Sequence, residues 1–127
     1  MIVGIGTDIV EVERIQKMMS DHGDHFLQRV FTAAEIAHCQ PRREAAQHFA
    51  GRWAAKEAVM KALGTGFTPE VGWTDIEILT HPSGQPYVVM HGTARTCSEN
   101  KGIGTILITL SHTRTYATAT AIGLGIS

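Results

Sequence analysis

"EAAQHFAGRWAAKEAVMKALG", residues 44–64, is the longest stretch of the chain that reads as one element. It holds no proline and only one glycine before its last residue, and alanine recurs throughout, which is the composition of a continuous helix. Gly64 and Gly66 stand where a C-terminal cap belongs. The pattern predicts a helix over residues 44–63, roughly 30 Å long and able to cross a small domain. Phe49, Trp53, Met60 and Leu63 recur at helical intervals and mark its core face.

On the N-terminal side, residues 2–7 read as a short buried strand. "DIVE" (8–11) then has capping-box spacing and predicts a helix through about Ser20. "DHGDH" (21–25) breaks that helix, a short helical piece covers 26–30, and "TAAE" (32–35) repeats the capping box before a turn at "QPRR". Past the long helix the period changes. "WTDIEIL" (73–79) alternates, "HPSGQP" (81–86) carries turn residues, and "YVVMH" (87–91) completes a hairpin. Residues 93–102 read as a helix closed by Gly102, and 105–112 with 116–123 as a second strand pair. The fold class is α+β, a mostly antiparallel sheet packed on one long helix.

The 127 residues are 43% hydrophobic, enough for one core, so a single domain over 1–127 is expected. A net charge of −1 from both signs gives no dense basic field, which argues against nucleic acid or a membrane surface as partner. Cys39 and Cys97 lack disulfide-framework or zinc spacing, and no signal-peptide pattern or membrane-length apolar run stands out, so a cytoplasmic protein is expected.

"GIGTDI" (4–9) begins like a dinucleotide fingerprint, but Ile9 stands where the third glycine belongs and no βαβ pattern follows. No Gly-Lys-Ser/Thr follows either, which removes a P-loop. Asp8 is left with two readings, a helix N-cap or a ligand. Glu57 and Lys61, four residues apart on the long helix, fit an ordinary surface pair, with Lys56 snorkelling to water. Against that stands the density of Arg52, Lys56, Glu57 and Lys61 among alanines, which leaves room for a ligand. A carboxylate among cations suits a magnesium–phosphate site, and Asp8 is the best-placed second carboxylate.

"GIGTDIVEVERI", "RWAAKEAVMKALGTG" and "LSHTRTYATATA", in that order along the chain, resemble the holo-acyl-carrier-protein synthases of the 4′-phosphopantetheinyl transferase superfamily. The resemblance implies that family's fold and a Mg²⁺-dependent transfer of phosphopantetheine from coenzyme A to a serine of apo acyl carrier protein, releasing adenosine 3′,5′-bisphosphate. It implies Asp8 and Glu57 as the metal ligands and Lys61 as the cation on the phosphate; Glu57 could also accept the serine proton, directly or through a metal-bound water, and the base is left unassigned. For the coenzyme it points to Arg52, Lys56, Lys61, Gly84, Pro86, Ser111 and His112, and more weakly to Arg42 and Arg43. The plain alternatives are a hairpin turn for "SGQP" and a structural role for His112. For carrier docking it points to Arg14, Met18, Phe26 and Arg29, while His22 and His25 add charge only when protonated. It further implies a homotrimer with sites between subunits. Two other classes fit the same residues: a nucleotide-binding module without transfer, and a magnesium-dependent phosphohydrolase.

Overall fold

The computed structural model describes residues 1–65 and 71–126, so Gly66 lies outside the described residues. Among the described residues five strands and four α-helices run in the order β1 (Ile2–Glu11), α1 (Val12–Val30), α2 (Ala33–Cys39), α3 (Ala45–Leu63), β2 (Ile76–Thr80), β3 (Pro86–Met90), α4 (Gly92–Asn100), β4 (Ile103–His112) and β5 (Tyr116–Gly125), with a 3₁₀ turn at Trp73–Asp75 leading into β2. A three-stranded antiparallel sheet has the order β1-β5-β4, and β2 and β3 form a separate hairpin beside β4. The α+β class read from the sequence is the class observed.

The long helix is α3, stopped at Gly64, whose left-handed backbone (φ 77°) turns its N–H back to the carbonyls of Met60 and Lys61. Its burial is wider than one face. Phe49, Trp53, Met60 and Leu63 are buried, and so are Ala50, Ala54, Ala55, Ala58 and Ala62, because the sheet, α1, α2 and β2 all pack against it. Alanine lets backbones approach from several sides.

The closest approach is made by β1. A β-carbon on Gly6 would stand 2.1 Å from the carbonyl oxygen of Ala58, and one on Gly4 would stand 2.3 Å from that of Ala62. No side chain fits there. On β5, Ala117, Ala119 and Ala121 are buried on the same side of the sheet. The opposite sheet face is exposed and apolar, with Val3, Ile5 and Ile9 of β1, Leu107 of β4 and Tyr116 of β5.

The N-terminal segment corrects the sequence reading. Asp8 caps no helix, because β1 runs on to Glu11 in register with β5, pairing Asp8 with Ala119 and Glu11 with Tyr116. The ladder satisfies the backbone groups that a cap would have served. Helix α1 starts at Val12 without a side-chain cap, and it is bent at Gly23 (φ 52°, ψ −133°), the break expected within "DHGDH".

The capping box of α2 forms as expected: the Glu35 amide donates to Thr32 Oγ1 at 3.3 Å, and the Thr32 amide donates to Glu35 Oε1 at 2.8 Å. Glu35 does more than cap. The same carboxylate accepts from Lys56 Nζ at 2.8 Å and from the Ile78 amide at 2.9 Å. Lys56 also donates to the carbonyls of Trp73 (2.9 Å) and Ile76 (2.5 Å) and has no solvent exposure. This corrects two expectations for Lys56, which neither snorkels to water nor faces a phosphate. All three of its protons are used inside the protein. Burial lowers its pKa, opposed by the charge of Glu35. The pair ties α2, α3 and β2 together.

Two stability outcomes follow from these contacts. Gly6→Ala forces β1 off α3 and should cost about 1–3 kcal/mol. Lys56→Met strands the Glu35 carboxylate inside the core and should cost about 3–5 kcal/mol. Urea denaturation checks both; wild-type midpoints would contradict the packing described.

Candidate functional site

Strand alternation places Gly4, Gly6 and Asp8 on one face of β1, the face against α3. The glycine contacts at Ala58 and Ala62 therefore carry Asp8 to the neighbouring helix positions. Lys61 reaches across the gap, its Nζ donating to the Thr7 carbonyl at 2.9 Å and to Asp8 Oδ1 at 3.2 Å. Lys61, which the plain alternative pairs with Glu57 along the helix, is hydrogen-bonded to the strand.

Glu57 belongs to the same group. Burial raises its pKa, the charge of Asp8 raises it further, and Lys61 and Arg14 oppose both. Asp8, Glu57, Lys61 and Arg14 thus form one electrostatic cluster within a single chain. The Asp8 side chain is 16% exposed and that of Lys61 55%, so a sheltered carboxylate sits beside a cation still open to solvent. Among the described residues no three His, Cys, Asp or Glu side chains group to hold a metal ion. Two carboxylates alone suit a hard cation that takes its remaining oxygens from water and phosphate.

Arg52 lies elsewhere. It precedes Lys61 by nine residues on α3, a separation of roughly 13 Å and half a turn around the axis. Its Nη2 donates to Thr80 Oγ1 at 2.8 Å, while its Nε is buried without a hydrogen-bond partner among the described residues. Thr80 pairs in register with Pro86, so the turn containing Gly84 (φ 94°) and Pro86 lies toward this end of the molecule.

Four more basic side chains gather around Arg52. His48 meets His112 edge to face, ring centroids 5.1 Å apart, and His112 Nδ1 lies 3.1 Å from Gln47 Oε1. Arg42 donates to the His38 carbonyl. His38 and His48 both have lowered pKa values, first from burial and then from surrounding positive charge, which includes Arg52 and Arg42 for each. Such a group favours an anion. Sequence reading found Arg52, Arg42 and His112 but missed His38 and His48; the available signal was His48 one turn before Arg52 on the same helix side.

The remaining candidates separate. Ser111 is exposed on the outer face of the sheet, while His112 points to the α3 side. Of the docking residues, Arg14 and Arg29 are exposed and Met18 is partly buried. Phe26 is corrected: it is 7% exposed and packs on Phe31 and Trp53, each ring 6.1 Å away, because the bend at Gly23 leaves the second half of α1 against the core.

The model of the 4′-phosphopantetheinyl transferase superfamily matches residues 4–121. The holo-[acyl-carrier-protein] synthase of Rhodopirellula baltica is 51% identical over 118 residues, covering 93% of this chain and 94% of that one. The crystal structure of holo-[acyl-carrier-protein] synthase from Neisseria meningitidis is similar with a TM-score of 0.89 and 31% identity, over 98% of this chain and 99% of that one. That of the Helicobacter pylori synthase in complex with coenzyme A gives 0.84 and 29%, over 94% and 99%.

The raised pKa of Glu57 sets the sign of a pH effect. As pH rises past the ordinary value of 4.5, the unfolded chain releases this proton while the folded chain still holds it, so stability falls up to the folded pKa. Glu57→Gln removes that loss. In chelator, the variant should melt higher than wild type at about pH 7, with the gap closing toward about pH 4. A variant less stable at neutral pH would contradict the penalty that burial and the charge of Asp8 place on the ionised Glu57.

Proposed function

The chain belongs to the 4′-phosphopantetheinyl transferase superfamily and is a phosphopantetheinyl transferase; we propose that it moves the phosphopantetheine arm of coenzyme A to a serine hydroxyl of apo acyl carrier protein. The observation that carries this reading is the meeting of Asp8, Glu57 and Lys61 where β1 touches α3. In the reaction the serine oxygen attacks the pyrophosphate phosphorus that bears the pantetheine arm. The bond to the second phosphate breaks, and adenosine 3′,5′-bisphosphate leaves.

The two carboxylates fit magnesium, and Asp8 and Glu57 would hold it. When bound, that ion supplies positive charge to the pyrophosphate oxygens. Lys61, already tethered at Asp8 yet half-exposed, turns its ammonium to the phosphate and the leaving group. Glu57 is the carboxylate placed to take the serine proton, directly or through a water. Arg14, Met18 and Arg29 on α1 receive the carrier, which as a class is acidic.

The basic group around Arg52, with the Gly84–Pro86 turn, receives the nucleotide end of the coenzyme, its 3′-phosphate included. Because α3 holds Arg52 and Lys61 on opposite sides, one chain supplies half of each site, and a second copy completes it. Support comes from the exposed apolar sheet face, which a homotrimer would cover. Among the described residues no helix is long and apolar enough to cross a membrane, and we place the reaction in the cytoplasm.

Mass measurement of apo carrier incubated with coenzyme A, with and without Mg²⁺, tests the reaction. The carrier should gain phosphopantetheine only with the metal. Asp8→Asn should lower turnover by about 10²-fold or more, the scale for losing a group that stabilises transition-state charge. A carrier left unmodified would sink the reaction, and undiminished turnover of Asp8→Asn would sink the metal assignment.

A further inference from the structure

Arg14 stands on the exposed side of α1 and forms no ion pair among the described residues. Its guanidinium lies over the indole of Trp53, 5.4 Å from the ring centroid. The indole is itself held: the Trp73 ring lies 4.3 Å away at an interplanar angle of 32°, Phe26 closes in at 6.1 Å, and Trp53 is 7% exposed. An exposed arginine on a helix would otherwise sample many rotamers. A cation seated over a held ring face is restrained by it, while a guanidinium keeps more N–H donors than one ring can engage.

The position of that guanidinium matters. Arg14 is close enough to Glu57 to act on its charge, and one turn of α3 separates Glu57 from the indole beneath the guanidinium, so the cation stands near the Asp8–Glu57–Lys61 cluster. Trp53 comes from α3, the helix that also carries Glu57 and Lys61. A docking cation and the catalytic groups are thereby referred to one rigid element, and one turn of helix separates Trp53 from Glu57.

We propose that Trp53 is a positioning residue for carrier recognition: it holds the Arg14 guanidinium beside the catalytic cluster, where it meets an acidic segment of the carrier. This rests on the transferase reading above. Lysine at position 14 keeps the charge but loses the planar guanidinium and its fork of donors. Phenylalanine at 53 keeps a ring face, and leucine removes it.

Steady-state kinetics with apo carrier and coenzyme A varied in turn test the idea. Arg14→Lys and Trp53→Leu should each raise the KM for carrier about three- to tenfold, the size of losing a partly buried cation–π contact. The kcat and the KM for coenzyme A should stay within about twofold, since the contact lies outside the reacting atoms. Trp53→Phe should stay near wild type, and the Arg14→Lys/Trp53→Leu double variant should be no worse than Trp53→Leu alone. Should Trp53→Leu fail to fold, Arg14→Lys with Trp53→Phe decides the matter. Wild-type kinetics for Arg14→Lys, or effects of the two substitutions that multiply, would overturn the positioning role. A wild-type enzyme that modifies no carrier removes the transferase reading, and this proposal falls with it.

Discussion

Two missing β-carbons organise this protein. At Gly4 and Gly6 the backbone of β1 rests on the carbonyls of Ala62 and Ala58, closer than any side chain allows. That contact sets the height of β1 above α3, and strand alternation then delivers Asp8, two residues on, to the place where Lys61 and Glu57 emerge from the helix. The buried alanines of β5 keep the rest of the sheet low enough to follow. Packing density and site geometry are here one constraint: the spacing that closes the core also brings two carboxylates within reach of each other's charge.

One helix uses its lysines in opposite ways. Lys56 is wholly interior and spends its three protons on Glu35 and two carbonyls, while Lys61 stays half in water. The difference lies in what faces each. Toward β2, Lys56 meets oxygen acceptors that can replace its hydration, and leaving any of them unmet in the core would be costly. Toward β1, Lys61 meets a rim with Thr7 and Asp8 on one side and solvent on the other. Burial gives the first a structural duty and exposure leaves the second free to exchange partners.

Much of this was legible in the sequence where local chemistry governs. The long helix, its stop at Gly64, the Thr32–Glu35 box and the hairpin around Gly84 each rest on a few adjacent residues. Reading failed where the deciding partner is remote. Asp8 looks like a helix cap until β5, more than a hundred residues away, extends the strand past it. Glu35 looks fully employed in its capping box, so nothing in the sequence offers it to Lys56. His38, His48 and His112 come from three elements and become a group only when α2, α3 and β4 converge. For Asp8, Glu57 and Lys61 the resemblance of three segments pointed to a shared site, and the strand–helix contact shows how a single chain brings them together.

The half-turn between Arg52 and Lys61 bears on how damage spreads through an assembly of the proposed kind. A chain that faces two neighbours with different halves of a site belongs to two sites at once. In a closed ring, one chain defective on its Asp8 side silences one site, and one defective on both sides silences two. Mixed assemblies of intact and doubly impaired chains therefore lose activity faster than the fraction of impaired chains. Chains impaired on opposite sides, each inert alone, restore a working site wherever their intact halves meet.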